Sequence, residues 1–193
     1  MEYRRLRSIT TNRMLHQKKE PAEVRKPFDP TAWYVFGVKR NMEFVSRDFF
    51  NSPTRKLKDL ATGTEYNAEA YLAVQVRQSK RKKTEKAIIR GKLFVRVDES
   101  HRVDVMKQCS LLTHCIVDRS ASPSPTGIPH FARIPDAQIQ KLRTMLENAD
   151  GEVEFTEEIP RKPHERIVML DDKRIESIVL DNIGSLRLIQ PHP

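Results

Sequence analysis

The sequence predicts an α+β fold. It reads as a four-stranded, mainly antiparallel sheet with flanking helices, followed by a small C-terminal β module. Three observations carry this. Runs rich in aromatic and β-branched residues recur as strands at 31–38, 71–77, 84–97 and 113–118. Segments with apolar residues at helical spacing separate them and follow them. After Gly151 the helical pattern stops and only short alternating strands remain. The order β-α-β-β-α-β-α places helices over an antiparallel sheet, and alternation in strands two and three fits a sheet with one covered face.

The elements follow in turn. Residues 1–30 carry Arg4, Arg5, Arg7, Lys18, Lys19, Arg25 and Lys26 with little apolar periodicity. They read as a flexible basic arm, which either touches nucleic acid or only adds solubility. Pro30 sets off the first strand, whose Trp33, Tyr34 and Phe36 are core residues or, in the sharper reading, a platform for stacking bases. Asn41 is placed to cap the first helix, with Glu43 in its first turn. Met42, Val45, Phe49 and Phe50 are its expected buried stripe, with Glu43, Arg47 and Asp48 pointing away. Asn51-Ser52-Pro53 ends it. Residues 54–69 read as a loop, with a short strand or helical turn as the alternative within it, and 79–83 as a hairpin tip too charged to bury. Ser100 is the expected cap of the second helix, with Val103, Met106 and Cys109 inside. Residues 120–130 are a proline-rich loop. Ile134-Pro135-Asp136 opens a third helix with Ile139, Leu142, Met145 and Leu146 on one side, and 148–151 stops it. In the C-terminal module, strands 166–170 and 174–180 flank a turn at Asp171-Asp172-Lys173, and 185–189 is the last strand. A unit of about 40 residues is too small to be very stable alone. The expected divisions are therefore a basic arm (1–30), a main domain (31–150) and a small β module (151–193).

The chain has 193 residues and a formal net charge of +9, which favours anionic partners such as nucleic acid or a nucleic-acid machine. The charge is concentrated. Arg77, Lys80, Arg81, Lys82, Lys83, Lys86, Arg90 and Lys92 are opposed locally only by Glu85, while Glu152, Glu154, Glu157 and Glu158 cluster near the far end. No apolar run approaches the roughly 18–20 residues that cross a bilayer, and no apolar segment follows the basic N-terminus as a secretory signal would require. A cytoplasmic protein with no membrane partner is expected. Cys109 and Cys115 lack metal-ligand spacing and read as reduced thiols. His101, His114, His130 and His164 are scattered, so no metal and no cofactor is expected. No nucleophile triad, phosphate loop or paired-carboxylate site stands out, and the chain is not expected to be an enzyme.

Trp33-Tyr34-Val35-Phe36, Lys39-Arg40 and Glu43-Phe44-Val45 resemble the opening of the NusG N-terminal (NGN) domain. So does the strand Gly91-Lys92-Leu93-Phe94-Val95-Arg96-Val97-Asp98 after a basic hairpin. Cys115-Ile116-Val117-Asp118-Arg119 and the helix opened by Ile134-Pro135-Asp136 complete the likeness. It covers roughly residues 32–147 and is nearest to the specialised RfaH and UpxY-type paralogues. The resemblance implies a transcription elongation and antitermination factor, without covalent chemistry, that binds the clamp region of the largest RNA polymerase subunit as a monomer. It also implies contact with the non-template DNA strand or nascent RNA. On the resemblance, Ile89 and Phe94 fall at clamp-contact positions, and Lys39 and Arg40 match a basic pair facing non-template DNA.

Ile88 and Ile89 are adjacent, so in a continuous strand one of them faces out. That makes Ile88, Ile89 and Phe94 the candidate polymerase contacts, with helix packing over the isoleucines as the other reading. Lys39, Arg40, Lys80, Arg81, Lys82 and Lys83 are the candidate nucleic-acid contacts. This chain departs from the family at Lys92, where tyrosine is frequent, at Arg90, where proline is common, and at Val103 and Asp104 on the second helix. Residues 152–193 are either a shortened KOW module or an unrelated hairpin. The alternative to the NusG reading is a general RNA- or DNA-binding α+β module that does not act on polymerase.

Overall fold

A computed structural model describes residues 31–79, 82–118, 121, 127, 129–149, 151–157, 166–170, 173–180 and 183–191. The arm at 1–30, most of the proline-rich loop and the Asp171-Asp172 turn lie outside the described residues. In chain order the elements begin with β1 (Thr31–Val38), α1 (Glu43–Asn51), β2 (Leu57–Lys58), β3 (Glu65–Tyr66) and β4 (Glu69–Tyr71). Next come β5 (Val74–Ser79), β6 (Lys82–Ala87), β7 (Lys92–Asp98), α2 (Arg102–Gln108), β8 (Leu112–Cys115) and β9 (Arg133–Ile134). The chain continues with α3 (Asp136–Glu147), β10 (Glu152–Thr156), β11 (Arg166–Leu170), β12 (Lys173–Leu180) and β13 (Gly184–Pro191).

The fold is α+β. β1 is the axis of an antiparallel sheet ordered β4-β7-β1-β8, with β9 pairing β1 beyond the end of β8. The expected four strands are five, because Arg133 and Ile134 pair with Tyr34 and Trp33 before α3 begins. A second antiparallel sheet, ordered β10-β13-β12-β11, holds the C-terminal strands near where their alternation places them.

Both faces of the first sheet are covered, which corrects the expectation of one. Successive side chains of a strand point to opposite faces. Tyr34 and Phe36 pack with Leu93, Val95, Phe50 of α1 and Val105 of α2. Trp33 and Val35 pack with Phe94, with Ile139, Leu142, Met145 and Leu146 of α3, and with Ile178, Leu180, Leu186 and Leu188 of the C-terminal sheet. The C-terminal strands thus share a core with α3 and the main sheet, and each leucine buried there contributes roughly 1.5–3 kcal/mol. Trp33, Tyr34 and Phe36 are at most 2% exposed, so they are core and present no stacking platform.

The two long strands expected at 71–77 and 84–97 are each broken. β4 and β7 belong to the main sheet, while β5 and β6 leave it as a separate two-stranded ribbon. The return passes through a turn at 88–91, where Gly91 has φ +69°, a conformation natural to glycine. Glu43 holds this turn. Its carboxylate Oε1 accepts from the Gly91 amide at 2.9 Å, and the Val38 amide donates to the Gly91 carbonyl at 2.8 Å. The bond explains why α1 is rotated from its expected setting, with Glu43 and Ser46 buried while Val45 is 55% exposed. Asn41 does not cap the helix. It adopts φ +61° in the preceding turn, and Met42 occupies the cap position without a side-chain bond.

Asp98, rather than Ser100, caps the turn of 3-10 helix that leads into α2. Its Oδ1 accepts from the Ser100 amide at 2.8 Å and the Ser100 hydroxyl at 2.6 Å. Asp98→Ala is expected to cost about 1 kcal/mol at neutral pH. The Ser100 side-chain and backbone hydrogen bonds hold the Asp98 carboxyl below its ordinary range. The contribution is therefore present above the unfolded-state pKa of ~3.9 and is lost as pH falls through the lower folded-state value. Denaturant melts of wild type and variant should differ at pH 7 and converge in strong acid.

Candidate nucleic-acid interface

A groove of about 600 Å³ separates β6 from the start of α1. Phe44 and Ala87 give it an apolar floor, and Arg77, Lys86 and Arg90 line it. The three cations are exposed, and among the described residues none of them takes part in an ion pair. Lys39 and Arg40 are likewise exposed, on the β1–α1 turn beside Asn41, which also lines the groove. The Lys39 amide is fixed by the Leu111 carbonyl at 2.9 Å. Lys83 is exposed near the hairpin end of β6. Lys80 and Arg81 lie outside the described residues, and of Lys82 only the strand backbone is described.

The geometry is set from two sides. Arg47 of α1 binds Glu85 of β6 at 3.1 Å and its neighbour Asp48 at 2.9 Å, tying the hairpin to the helix. Its guanidinium lies 5.2 Å from the Phe44 ring centroid. The Glu43–Gly91 bond fixes Arg90 at the other wall. Two acids also line the groove, and both are engaged: Glu85 by Arg47 at 3.1 Å and Glu43 by the Gly91 amide at 2.9 Å. What remains is a partly buried aromatic ring between unpaired cations. Such an arrangement can attract phosphates by charge and can offer a base an apolar surface.

The sequence indicated the hairpin tip and Lys39-Arg40. It did not single out Arg77, Lys86, Arg90 and Phe44 as one site, although all lie in segments it marked as basic or family-like. The turn at 88–91 and the Arg47–Glu85 pair together bring them into one place. Reversing both Lys86 and Arg90 to glutamate is expected to weaken single-strand binding and flatten its salt dependence. The logarithmic slope should fall by about 0.7 for each phosphate that is no longer neutralised, as measured by anisotropy of a labelled oligonucleotide across a salt series.

The candidate polymerase contacts are in a different place from the one expected. Ile88 is 9% exposed, and Ile89 and Phe94 are fully buried. Of the two readings, an exposed isoleucine or a pair covered by packing, the structure takes the second: strand alternation ends at Ala87, and both side chains turn inward in the 88–91 turn onto a core that includes α3. The Ile88 amide donates to the Ala73 carbonyl at 2.9 Å. Over this region lies the start of the C-terminal sheet, where Lys92 Nζ meets Glu157 at 2.5 Å and sits 5.5 Å from the Phe155 ring centroid. The apolar side chains that are exposed nearby are Met42, Val45 and Val76.

No cluster among the described residues could hold a metal ion. Cys109 and Cys115 are free and buried. Burial pushes both thiols up, to about 11 for Cys115, which keeps them protonated and unreactive. His101 stacks on Tyr66 with ring centroids 4.1 Å apart and approaches Asp59 at 3.5 Å, a structural arrangement. No helix of the described residues is long and apolar enough to cross a membrane. No protein-family model matches the chain, and no curated protein matches it.

Proposed function

We propose that the protein is a transcription-elongation regulator of the NusG type, which binds the RNA polymerase clamp and promotes processive elongation and antitermination. The observation that supports this is how the family-like segments meet. Tyr34, Val35 and Phe36 pair with Val95, Phe94 and Leu93, Trp33 pairs with Ile134, and the basic hairpin enters the same strand from one end. Motifs far apart in sequence therefore lie on one sheet beside a cationic groove. Mechanistically, such a factor acts by population shift, because it prefers the closed clamp and stabilises it by that preference.

The buried state of Ile88, Ile89 and Phe94 adds a condition. Clamp contact through these residues requires α3 and the C-terminal strands that share their core to move away from them; otherwise the contact uses the exposed Met42 and Val45. Met42→Asp combined with Val45→Asp leaves the core untouched and is expected to weaken polymerase binding only in the second case.

A second reading, a general RNA- or DNA-binding module that does not act on polymerase, is favoured by the groove. The two differ in what is bound. The NusG reading expects a polymerase elongation complex to be retained far better than naked nucleic acid, and read-through at a terminator to change. Pull-down with polymerase and a termination assay that both show no effect would overturn it. Steeply salt-dependent binding to naked strands alone would leave the second reading standing.

A further inference from the structure

The β5–β6 ribbon joins neither of the two larger sheets. Among the described residues no strand pairs with the outer edge of β5. The Ile88-to-Ala73 bond fixes the alternation along the ribbon. Gln75 and Arg77 turn their backbone groups toward β6, and Val74 and Val76 turn theirs to the open edge. That edge forms one wall of a cleft of about 1320 Å³, whose other wall is the C-terminal end of α3 and the start of β10. Val74, Gln75, Val76 and Arg77 all line it, so it follows the strand over about 13 Å.

Two features mark the cleft as more than an unfilled edge. Gln75 is 3% exposed, and its amide donates to the Gly151 carbonyl at 2.7 Å, but its Oε1 is buried with no hydrogen-bond partner among the described residues. Val76, in the middle of the wall, leaves an apolar side chain 41% exposed. Charge along the cleft is also polarised. Arg77 and Lys83 line it toward the hairpin tip, and Glu147 and Glu152 line it toward the base, near Gly151; Arg143 also lines the base, where Glu69 pairs with it at 2.7 Å. A nucleic acid fits poorly. The carboxylates oppose phosphate, and the one aromatic ring, Tyr71, is engaged by Phe94 at 6.0 Å and by the Arg143 guanidinium at 4.8 Å between centroid positions. What the edge offers is backbone N–H and C=O groups that no described strand pairs with, which an extended chain matches.

We propose that the outer edge of β5 is a strand-addition site. It takes an extended segment of a protein partner running antiparallel to β5, with acidic residues toward the segment's N-terminal end and basic residues toward its C-terminal end. The order follows from β5 running from the acidic base to the basic tip. The proposal does not depend on the elongation-factor reading.

The test uses the full chain and a fluorescein-labelled peptide of roughly eight residues. The peptide alternates valine and threonine, with two aspartates at the N-terminal end and two lysines at the C-terminal end. Saturable binding is expected, and a peptide with the charges exchanged should bind at least fivefold more weakly. Val76→Pro removes an outward N–H that the β5–β6 ladder does not use, and it should weaken binding at least tenfold while amide exchange at Gln75 and Arg77 stays protected. Arg77→Glu with Lys83→Glu, which leaves the ladder intact, should reverse the preference between the two peptides. Absence of saturable binding up to about 1 mM overturns the proposal, as does binding that Val76→Pro leaves unchanged with the ladder protected. Binding of oligothymidine in place of the peptide, sensitive to Val76→Pro, would overturn it in favour of a nucleic-acid surface.

Discussion

Ile89→Asp is expected to unfold most of the protein. Ile89 is fully buried among Trp33, Phe94, Leu142 and the C-terminal leucines. Losing its apolar burial costs roughly 1.5–3 kcal/mol. Placing a carboxylate there adds a desolvation penalty of several kcal/mol unless the group protonates or the turn opens. A domain of this size has about 5–15 kcal/mol in total, so the sum removes most of it. Thermal melts followed by near- and far-ultraviolet circular dichroism should show a collapsed transition. Ile89→Val keeps the shape and should cost only about 0.5–1.5 kcal/mol. A folded Ile89→Asp protein with a normal melt would mean that the 88–91 turn is exposed after all.

Gly184→Val is expected to disrupt the C-terminal sheet. Gly184 opens β13 with φ +147°, a backbone conformation that side chains rarely tolerate. An added Cβ would fall 2.1 Å from the Thr156 carbonyl oxygen and 3.0 Å from the Glu157 Cα. Neither is the free end of a flexible side chain, so β10 itself must move. Strain of this kind, together with weakened pairing beside it, places the cost at about 3 kcal/mol or more. The neighbouring pair Thr156–Ser185 closes the β10–β13 ladder, so the damage starts at that end. Hydrogen exchange should speed up first in β10, and the Lys92–Glu157 ion pair should open, freeing the Glu157 carboxyl to return toward its ordinary range. The Lys92 hydrogen bond and charge now hold that carboxyl low.

The long periodic segments were legible. Ile139, Leu142, Met145 and Leu146 have one spacing and one environment, and α3 runs as its sequence indicates. The alternating strand at 174–180 and the Asp171-Asp172 break likewise locate β12 and its partner. What the sequence hid was where strands change sheets. Nothing local separates Tyr71 from Val74, because both segments are β-branched or aromatic and only tertiary packing assigns one to the main sheet and one to the ribbon. The same holds at 88–91, where an apolar pair before a glycine reads as a strand but folds as a turn. Missing that turn shifted the expected exposure of Ile88 and Ile89. Helical spacing points Glu43 to solvent, where carboxylates usually are; its partner is a backbone amide 48 positions away, which no local pattern announces. For the candidate site, charge density was legible and its partition was not. Which cations remain unpaired depends on Arg47 meeting Glu85 across the hairpin.

Trp33 is the chain's single tryptophan. Its indole N–H donates to Asp136 Oδ1 at 2.6 Å, and the Arg143 guanidinium lies 5.4 Å from its ring centroid. Both partners belong to α3, the helix that packs between the main sheet and the C-terminal strands. Excited at the red edge of its absorption, where the four tyrosines absorb little, the protein therefore emits from this one indole, placed at that junction. A shift to longer wavelength on adding a partner would signal that α3 has loosened from β1. An unchanged spectrum would mean the partner is bound with the junction closed.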